Sequence, residues 1–243
     1  MEIHVVPDAR ALAVDAAARV AEIISATPNA LLLAATGETP MGCYAELGRL
    51  ARDGSLDASR LRVAQLDEYL GLSQGDPRSL YGWMERALLE PLGIGAERVI
   101  RFGTEGVDGE RIGREYDAEI ETAGGIDLAI LGLGPNGHLG FNEPPSDDGA
   151  PTRVVSLDSA TLESNAGYWQ DAVPPRAVTA GMSVILAARR VLLLVSGKRK
   201  GSILDRMLQS EPNATLPASF LRQHPRATVI ADRDARPDGS SHA

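Results

Sequence analysis

The sequence has few cysteines, few aromatic residues and no excess of basic charge. Cys43 is the only cysteine among 243 residues, which excludes an internal disulfide framework, indicates a reducing compartment and leads us to expect a cytoplasmic protein. Aromatic residues make up 4% of the chain, so no patch of the kind that anchors a partner protein is obvious. The net charge of −9, from 33 acidic and 24 basic residues, argues against nucleic acid, because binding a phosphate backbone needs a basic face.

Long hydrophobic runs are also missing. No apolar stretch approaches the length of a membrane span, and the start MEIHVVPDAR lacks the basic and apolar regions of a signal peptide, so we expect no membrane partner. The length and a hydrophobic content of 44% suit one domain with a substantial core. We expect a single α/β catalytic domain over residues 1–235 and a disordered tail, RPDGSSHA, over residues 236–243.

What the chain does have is a regular alternation of apolar runs and helical patterns. The runs predict strands at 3–6, 30–35, 61–66, 99–102, 127–133, 191–195 and 227–231. Helical spacing lies between them at 8–26, from 40 through 47, and at 79–89, 110–123, 183–188 and 198–208. This alternation predicts a Rossmann-like α/β fold, with an open, mainly parallel sheet and helices on both faces.

The segment 126–144, IDLAILGLGPNGHLGFNEP, is the most informative part of the chain. An apolar strand ends in a glycine-rich turn that carries His138 and then Glu143. Ligands of open α/β sheets collect at the carboxyl ends of the strands, so this loop is a candidate acid–base site. His138 can move protons near neutral pH, and Glu143 can orient its ring. The residues after the loop, PPSDDGAP at 144–151, suggest a mobile lid.

The same loop contains G-x-G-x-x-G at Gly132, Gly134 and Gly137, which is formally the dinucleotide fingerprint. That fingerprint needs a helix to begin at its last glycine, and the following HLGFNEPP opposes one. We interpret Gly134 and Gly137 instead as positions where the backbone approaches a ligand closely.

A second loop, Thr36-Gly37-Glu38-Thr39-Pro40, joins a predicted strand to a helix. Its hydroxyl and backbone N–H groups, with the helix N-terminus, can bind an anion. It also fits an ordinary turn in which Thr39 caps the helix and Pro40 is its first residue. The two interpretations are compatible.

Two further strand ends carry charge. Asp67 and Glu68 follow the strand LRVAQL, where a carboxylate can take a proton from a bound substrate or simply cap the turn. Basic residues in SGKRK at 196–200 follow VLLLV and can act as counter-ions for a phosphate, or start a helix with solvated lysines.

Taken in order, four pieces resemble the glucosamine-6-phosphate deaminase family, within the wider sugar-phosphate isomerase and lactonase superfamily. They are T-G-x-T-P at 36–40, L-D-E-Y at 66–69, G-x-x-G-H-x-G-F-N-E-P at 134–144 and V-P-x-x-A-x-T-x-G at 173–181. The resemblance implies conversion of glucosamine 6-phosphate and water to fructose 6-phosphate and ammonia. Such an amino-sugar isomerase and hydrolase of amino-sugar catabolism would need no cofactor and no metal.

The resemblance also implies roles for residues. His138 would help to open the sugar ring, held by Glu143 with Asn136 beside it, and Asp67 would move the proton from C2 to C1. The small phosphorylated amino sugar would be bound by residues of all four strand-end loops, namely Thr36, Gly37, Glu38, Thr39, Glu68, Gly134, Gly137 and Lys200. The family includes monomers, dimers and hexamers, so a homo-oligomer stays open.

Several positions depart from the family pattern. Asn136 stands where some members carry an aspartate, and Gly167 stands where the family places a phosphate-binding arginine, for which Arg153 or Arg199 could substitute. Glu38 replaces a common glycine, which together with Gly167 makes a shifted amino-sugar phosphate substrate plausible. Val155 replaces a lysine of the allosteric branch, so we expect no activation by an N-acetylated amino-sugar phosphate.

Three other classes compete with a deaminase. A 6-phosphogluconolactonase shares the scaffold, but the chain has Asn136 before Gly137-His138 and Tyr69 in place of an arginine after Asp67-Glu68. A non-catalytic sugar-phosphate sensor would keep the pocket without turnover. A dinucleotide-dependent oxidoreductase comes third, because its fingerprint lacks the following helix.

Overall fold

The computed structural model describes residues 1–73, 75–104, 109–166 and 173–236. Its strands are β1 (Glu2–Val6), β2 (Leu31–Ala34), β3 (Arg62–Gln65), β4 (Asp67–Tyr69), β5 (Val99–Ile100), β6 (Leu128–Gly132), β7 (Arg153–Ser156), β8 (Arg176–Thr179), β9 (Val191–Val195) and β10 (Ala227–Asp232). Its α-helices are α1 (Ala9–Ala26), α2 (Glu38–Arg52), α3 (Leu80–Met84), α4 (Glu90–Leu92), α5 (Gly109–Thr122), α6 (Ser159–Asn165), α7 (Met182–Leu186) and α8 (Gly201–Gln209). A π-helical turn, Glu85–Leu89, joins α3 to α4, and 3₁₀ turns cover Ala96–Arg98, Lys198–Lys200 and Pro217–Gln223.

Seven strands form one sheet in the order β1-β10-β9-β6-β2-β3-β5, and every neighbouring pair in it is parallel. From β2 the chain adds β3 and β5 on one side, and then returns to place β6 on the other side. The strand order therefore reverses between β2 and β6, which is where open α/β sheets bind ligands.

The sheet is covered on both faces, which explains why its strands are continuous apolar runs. Successive side chains of a strand point to opposite faces, so Leu31 and Leu33 pack in one core and Leu32 and Ala34 in the other. Helices α5, α7 and α8 cover the first face, while α1, α2 and α3 cover the second. The predicted α/β class, mainly parallel sheet and two helical layers are confirmed.

A second, three-stranded antiparallel sheet in the order β4-β8-β7 was missed by sequence analysis. One of its strands, β4, follows β3 closely in the chain, because only Leu66 separates the two strands. Asp67 pairs with Thr179 in this small sheet, so the segment interpreted as a loop is a strand. The small sheet fixes the backbone of Asp67 at the carboxyl end of β3.

The segment expected to form a mobile lid makes hydrogen bonds to its surroundings. The segment 144–151 is tied to its surroundings, because the Ser146 N–H donates to the Ala214 carbonyl and Arg153 donates to the Ser146 hydroxyl. Arg236, expected to begin a disordered tail, is buried, and residues 237–243 lie outside the described residues. Among the described helices, none is long and apolar enough to span a membrane.

Candidate active site

The loops that follow β2, β3, β6 and β9 meet at the carboxyl edge of the large sheet. The Thr36 hydroxyl lies 3.5 Å from Oδ1 of Asp67, and a side chain at Gly140 would come within 3.4 Å of Oδ2. Lys200 is near enough to His138 to affect the pKa of the imidazole. The structure therefore brings together the four loops that the sequence singled out.

Asp67 is a buried carboxyl group, only 7% exposed. Burial, and secondly the negative charge of Glu68, raise the pKa of Asp67 to about 7, while the hydrogen bond from Thr36 opposes this shift. A carboxyl group with a pKa near neutrality can both accept and return a proton.

The Glu68 carboxylate accepts hydrogen bonds from neighbouring parts of the chain. Its carboxylate accepts hydrogen bonds from the backbone N–H groups of Tyr69, Leu80 and Tyr81, and from the Gln65 amide, at 2.8–2.9 Å. These four bonds join β4 to the start of α3 and leave the carboxylate little capacity for a ligand. Glu68 thus has a structural role beside Asp67, and its contact with substrate stays a prediction.

His138 lies half-buried against the turn that precedes it. A Cβ atom at Gly134 would lie 2.2–2.4 Å from three atoms of the imidazole ring, so only glycine admits the ring in this position. Burial and then the positive charge of Lys200 lower the pKa of His138 to about 4, while Asp158 opposes the shift. The imidazole is therefore neutral at pH 7, with one donor and one acceptor nitrogen.

Within the described part of the chain no hydrogen bond joins His138 to Glu143, the residue expected to orient its ring. Oε2 of Glu143 accepts instead from the backbone N–H of Asp158 at 3.0 Å. Within the described residues, Oε1 of Glu143 and Nδ1 of His138 are both buried without a hydrogen-bond partner. Burial raises the pKa of Glu143, and the Asp158 carboxylate adds to the rise. Asp158, which sequence analysis missed, is thus a neighbour of both Glu143 and His138, although Asp158 and Thr161 form a recognisable helix cap.

The loop glycines make room for protein side chains. The Gly134 N–H donates to the His138 carbonyl and the Gly137 N–H to the Gly134 carbonyl, so neither is free for a ligand. Gly137 has φ +87° and faces Leu216, which a Cβ would approach to 2.3 Å. The close approach of this backbone to a ligand stays a prediction, and these two N–H groups are not its donors. No helix starts at Gly137 in this fully described stretch, which confirms that the dinucleotide fingerprint is not met.

The loop after β2 presents the N-terminus of α2. The helix begins at Glu38 with Gly37 as its N-cap, so the prediction of Thr39 as N-cap and Pro40 as first residue is wrong. No side chain of the described residues caps this helix. Thr36 is buried, whereas Gly37 and Glu38 are exposed. An uncapped helix N-terminus leaves backbone N–H groups available to an anion.

Lys200 ends the 3₁₀ turn after β9. Burial lowers the pKa of its ammonium group, Arg199 lowers it further, and the Glu38 carboxylate opposes the shift. Asp232, missed by sequence analysis, anchors this turn by accepting from the Ser196 hydroxyl and the Gly197 N–H. A carboxylate at the end of the neighbouring strand β10 was the available signal.

Arg153 and Arg199 are the two candidates to replace the family's phosphate-binding arginine, and their surroundings differ. Arg153 donates to the Asn142 side chain, the Ser146 hydroxyl and the Pro151 carbonyl at 2.8–3.2 Å, so it holds the loop beside His138. Arg199 lies in the same turn as Lys200. Gly167, at the position of the family arginine, lies outside the described residues. Among the residues that are described, no group of three or more His, Cys, Asp or Glu could hold a metal ion.

A parallel sheet with a buried carboxyl group, an imidazole and a lysine at its switch point is typical of α/β enzymes that perform acid–base chemistry on small anionic substrates. The family model for glucosamine-6-phosphate isomerases and 6-phosphogluconolactonases matches residues 7–230. The chain belongs to this family.

Individual relatives agree with the family assignment. The glucosamine-6-phosphate deaminase of Streptomyces avermitilis is 39% identical over 235 residues, which is 96% of this chain and 90% of the relative. That of Halothermothrix orenii is 36% identical, over 97% and 98% of the two chains. A solved monomeric glucosamine-6-phosphate deaminase superposes with a TM-score of 0.95 at 35% identity, covering 98% of this chain and 99% of the other. The 6-phosphogluconolactonase of Leishmania guyanensis, 20% identical with a TM-score of 0.79 over 99% of both chains, shares the fold.

Proposed function

We propose that this protein is a glucosamine-6-phosphate deaminase, which converts glucosamine 6-phosphate and water to fructose 6-phosphate and ammonia. The observation that carries the proposal is the buried Asp67 carboxyl group, whose pKa of about 7 suits reversible proton transfer. The extensive identity with deaminases supports the same reaction. The chemistry is an aldose–ketose isomerisation coupled to deamination, and the hydrolytic part is the uptake of water when ammonia leaves.

His138 acts first, on the closed sugar ring. Its neutral imidazole takes the proton of the C1 hydroxyl and, as an imidazolium, gives a proton to the ring oxygen, so the bond between C1 and the ring oxygen breaks and an aldehyde forms at C1. Oε1 of Glu143 and Nδ1 of His138 are each buried without a hydrogen-bond partner among the described residues, which supports a bond between these two atoms once substrate fills the site. Asn136 steadies the loop, because its Oδ1 accepts from the His138 backbone N–H at 3.2 Å.

Asp67 then takes the proton from C2, and the electrons form an enol-type intermediate between C1 and C2. The same carboxyl group returns a proton to C1, leaving an imine at C2 that adds water and releases ammonia. Glu68 assists indirectly, since its charge raises the pKa of Asp67. The burial of Asp67 keeps competing water away from the base.

The phosphate group binds at the N-terminus of α2 and at Lys200. Thr36, Gly37 and Thr39 offer hydroxyl and N–H donors, while Lys200 supplies the counter-charge. Glu38 tunes Lys200 through its carboxylate and lowers affinity for anions relative to a glycine there. Gly134 and Gly137 contribute to the site by shaping the loop around His138.

We further propose that the protein acts in the cytoplasm. The buried free thiol of Cys43 suits a reducing compartment. The sequence leaves a homo-oligomer open, but Met1 and Val14 are the only exposed large hydrophobic residues within the described ranges, which supports a monomer. Size-exclusion chromatography with light scattering distinguishes a mass near 25.7 kDa from a multiple of it.

A substrate panel tests the function. Purified protein is assayed for ammonia release from glucosamine 6-phosphate and galactosamine 6-phosphate, and for hydrolysis of 6-phosphogluconolactone. We expect ammonia release from the glucosamine epimer and no lactone hydrolysis. Preference for the galactosamine epimer would keep the mechanism and change the substrate, whereas lactone hydrolysis without ammonia release would overturn the deaminase.

A further inference from the structure

Asp158 makes hydrogen bonds to Asn136 and Glu143, the two residues on either side of His138. Its Oδ2 accepts from the Asn136 side-chain amide at 3.3 Å, and its backbone N–H donates to Oε2 of Glu143 at 3.0 Å. Asn136 in turn holds the His138 backbone N–H. One residue therefore contacts both neighbours of the imidazole, from an element, the start of α6, that is remote in sequence.

The position of Asp158 is fixed by its role as a helix cap. Its Oδ1 accepts from the Thr161 backbone N–H at 2.7 Å, which closes the first turn of α6. The carboxylate is exposed to solvent on its other side, and the cap hydrogen bond lowers its pKa, so it stays ionised at pH 7. It is thus a permanent negative charge held against the loop of His138.

The negative charge of Asp158 matters because of the other charged groups around His138. Lys200 opposes protonation of the imidazole, and Asp158 favours it. Asn136 contributes no charge, and Glu143 is bonded to Asp158 rather than to the ring. Asp158 is therefore the fixed anion that balances Lys200 at this site.

We propose that Asp158 is a positioning residue for His138: it fixes Asn136 and Glu143 around the imidazole and supplies the negative charge that Asn136 lacks. This inference rests on the proposed function, in which His138 moves a proton during ring opening. The proton transfer creates positive charge on the imidazole, and a nearby anion stabilises that charge.

Asp158→Asn tests the charge separately from the fold. Asparagine caps helices as well as aspartate does, and the backbone N–H to Glu143 is unchanged, so α6 should persist. We expect kcat to fall about threefold to tenfold, with KM changing less than about twofold, because an exposed charge is partly screened. We also expect the pKa of His138 to be lower in the variant than in the wild type, because the anion that favours protonation of the ring is gone.

The matched control is Asp8→Asn. Asp8 caps α1 through a 2.8 Å bond to the Ala11 N–H, in the same way that Asp158 caps α6. We expect kcat and the His138 titration to match the wild type in this control. Equal loss of kcat in both variants would mean that only capping matters and would overturn the proposal.

A charge swap provides the rescue. In the double variant Asn136→Asp with Asp158→Asn, the carboxylate and the amide exchange places while their hydrogen bond is kept. We expect kcat and the His138 titration to return toward wild-type values. Failure of the swap to restore either one, or an unchanged His138 titration in Asp158→Asn, would refute the proposal. The titration, read by NMR of the imidazole, needs no turnover, so it is independent of the proposed reaction.

Discussion

Replacing Asp67 by asparagine should abolish activity and at the same time stabilise the protein at neutral and alkaline pH. The folded chain raises the pKa of this carboxyl group from 3.8 to about 7, chiefly by burial. The unfolded chain keeps the ordinary value, so ionisation favours the unfolded state. The contribution of Asp67 to stability is therefore full below pH 3.8 and is lost as the pH rises through about 7.

The size of the effect follows from the pKa difference. A shift of about three pKa units corresponds to roughly 4 kcal/mol of unfolding free energy above pH 7. Asparagine cannot ionise, so Asp67→Asn escapes this loss. Between pH 5 and pH 8 the stability of the variant relative to wild type should grow by about 3 kcal/mol. Comparing two pH values removes the constant difference between the two side chains.

Urea unfolding at pH 5 and pH 8 measures this difference. Asp57→Asn is the control, because Asp57 is exposed and its hydrogen bonds to Ser59 lower its pKa. A carboxylate with a lowered pKa has given its full contribution by pH 5, so the control should show the same stability difference at both pH values. A constant difference for Asp67→Asn as well would refute the argument that burial raises the pKa of Asp67.

Three further predictions follow from the neighbours of the reacting groups. Lys200→Met should raise KM for the sugar phosphate and, by removing a cation, raise the pKa of His138 above about 4, as an NMR titration would detect. An unchanged imidazole titration would contradict it. Glu68→Gln should cost about 2–3 kcal/mol of stability in urea unfolding; it should also move the acid limb of the kcat/KM profile to lower pH, because the charge that raises the pKa of Asp67 is gone. Gly134→Ala should lower kcat by about two orders of magnitude with KM little changed, since the new methyl group displaces the His138 ring. Wild-type kcat in this variant would show that the ring position does not matter.

The parallel sheet was predictable because each of its longer strands is an apolar run. Strands β2 and β9, LLLA and VLLLV, are buried on both faces and leave no other interpretation once helices flank them. The small sheet was not predictable, because β4, β7 and β8 are three or four residues long and read DEY, RVVS and RAVT. The pairing of β4 with β8 joins segments more than 100 residues apart, and local pattern does not encode such pairing.

The candidate site also contains residues that were predictable from the sequence and residues that were not. Asp67, His138 and Lys200 were found from sequence because each follows an apolar strand, and parallel strands end at one edge. The structural role of Glu68 was missed because two of its three backbone N–H donors come from α3, twelve and thirteen residues further on. Asp158 was missed because a helix cap is a common feature, and only the fold brings this one beside Asn136. The identity of the substrate came from family resemblance and not from the residues.

The decisive experiment for Asp67 as the base is the parallel release of ammonia and fructose 6-phosphate from glucosamine 6-phosphate by wild-type protein and by Asp67→Asn. We expect equal amounts of the two products from wild type, and neither from a variant that unfolding experiments show to be folded. Ammonia release by Asp67→Asn at the wild-type rate would contradict the assignment of Asp67 as the base. No ammonia from folded wild-type protein would contradict the proposed reaction itself.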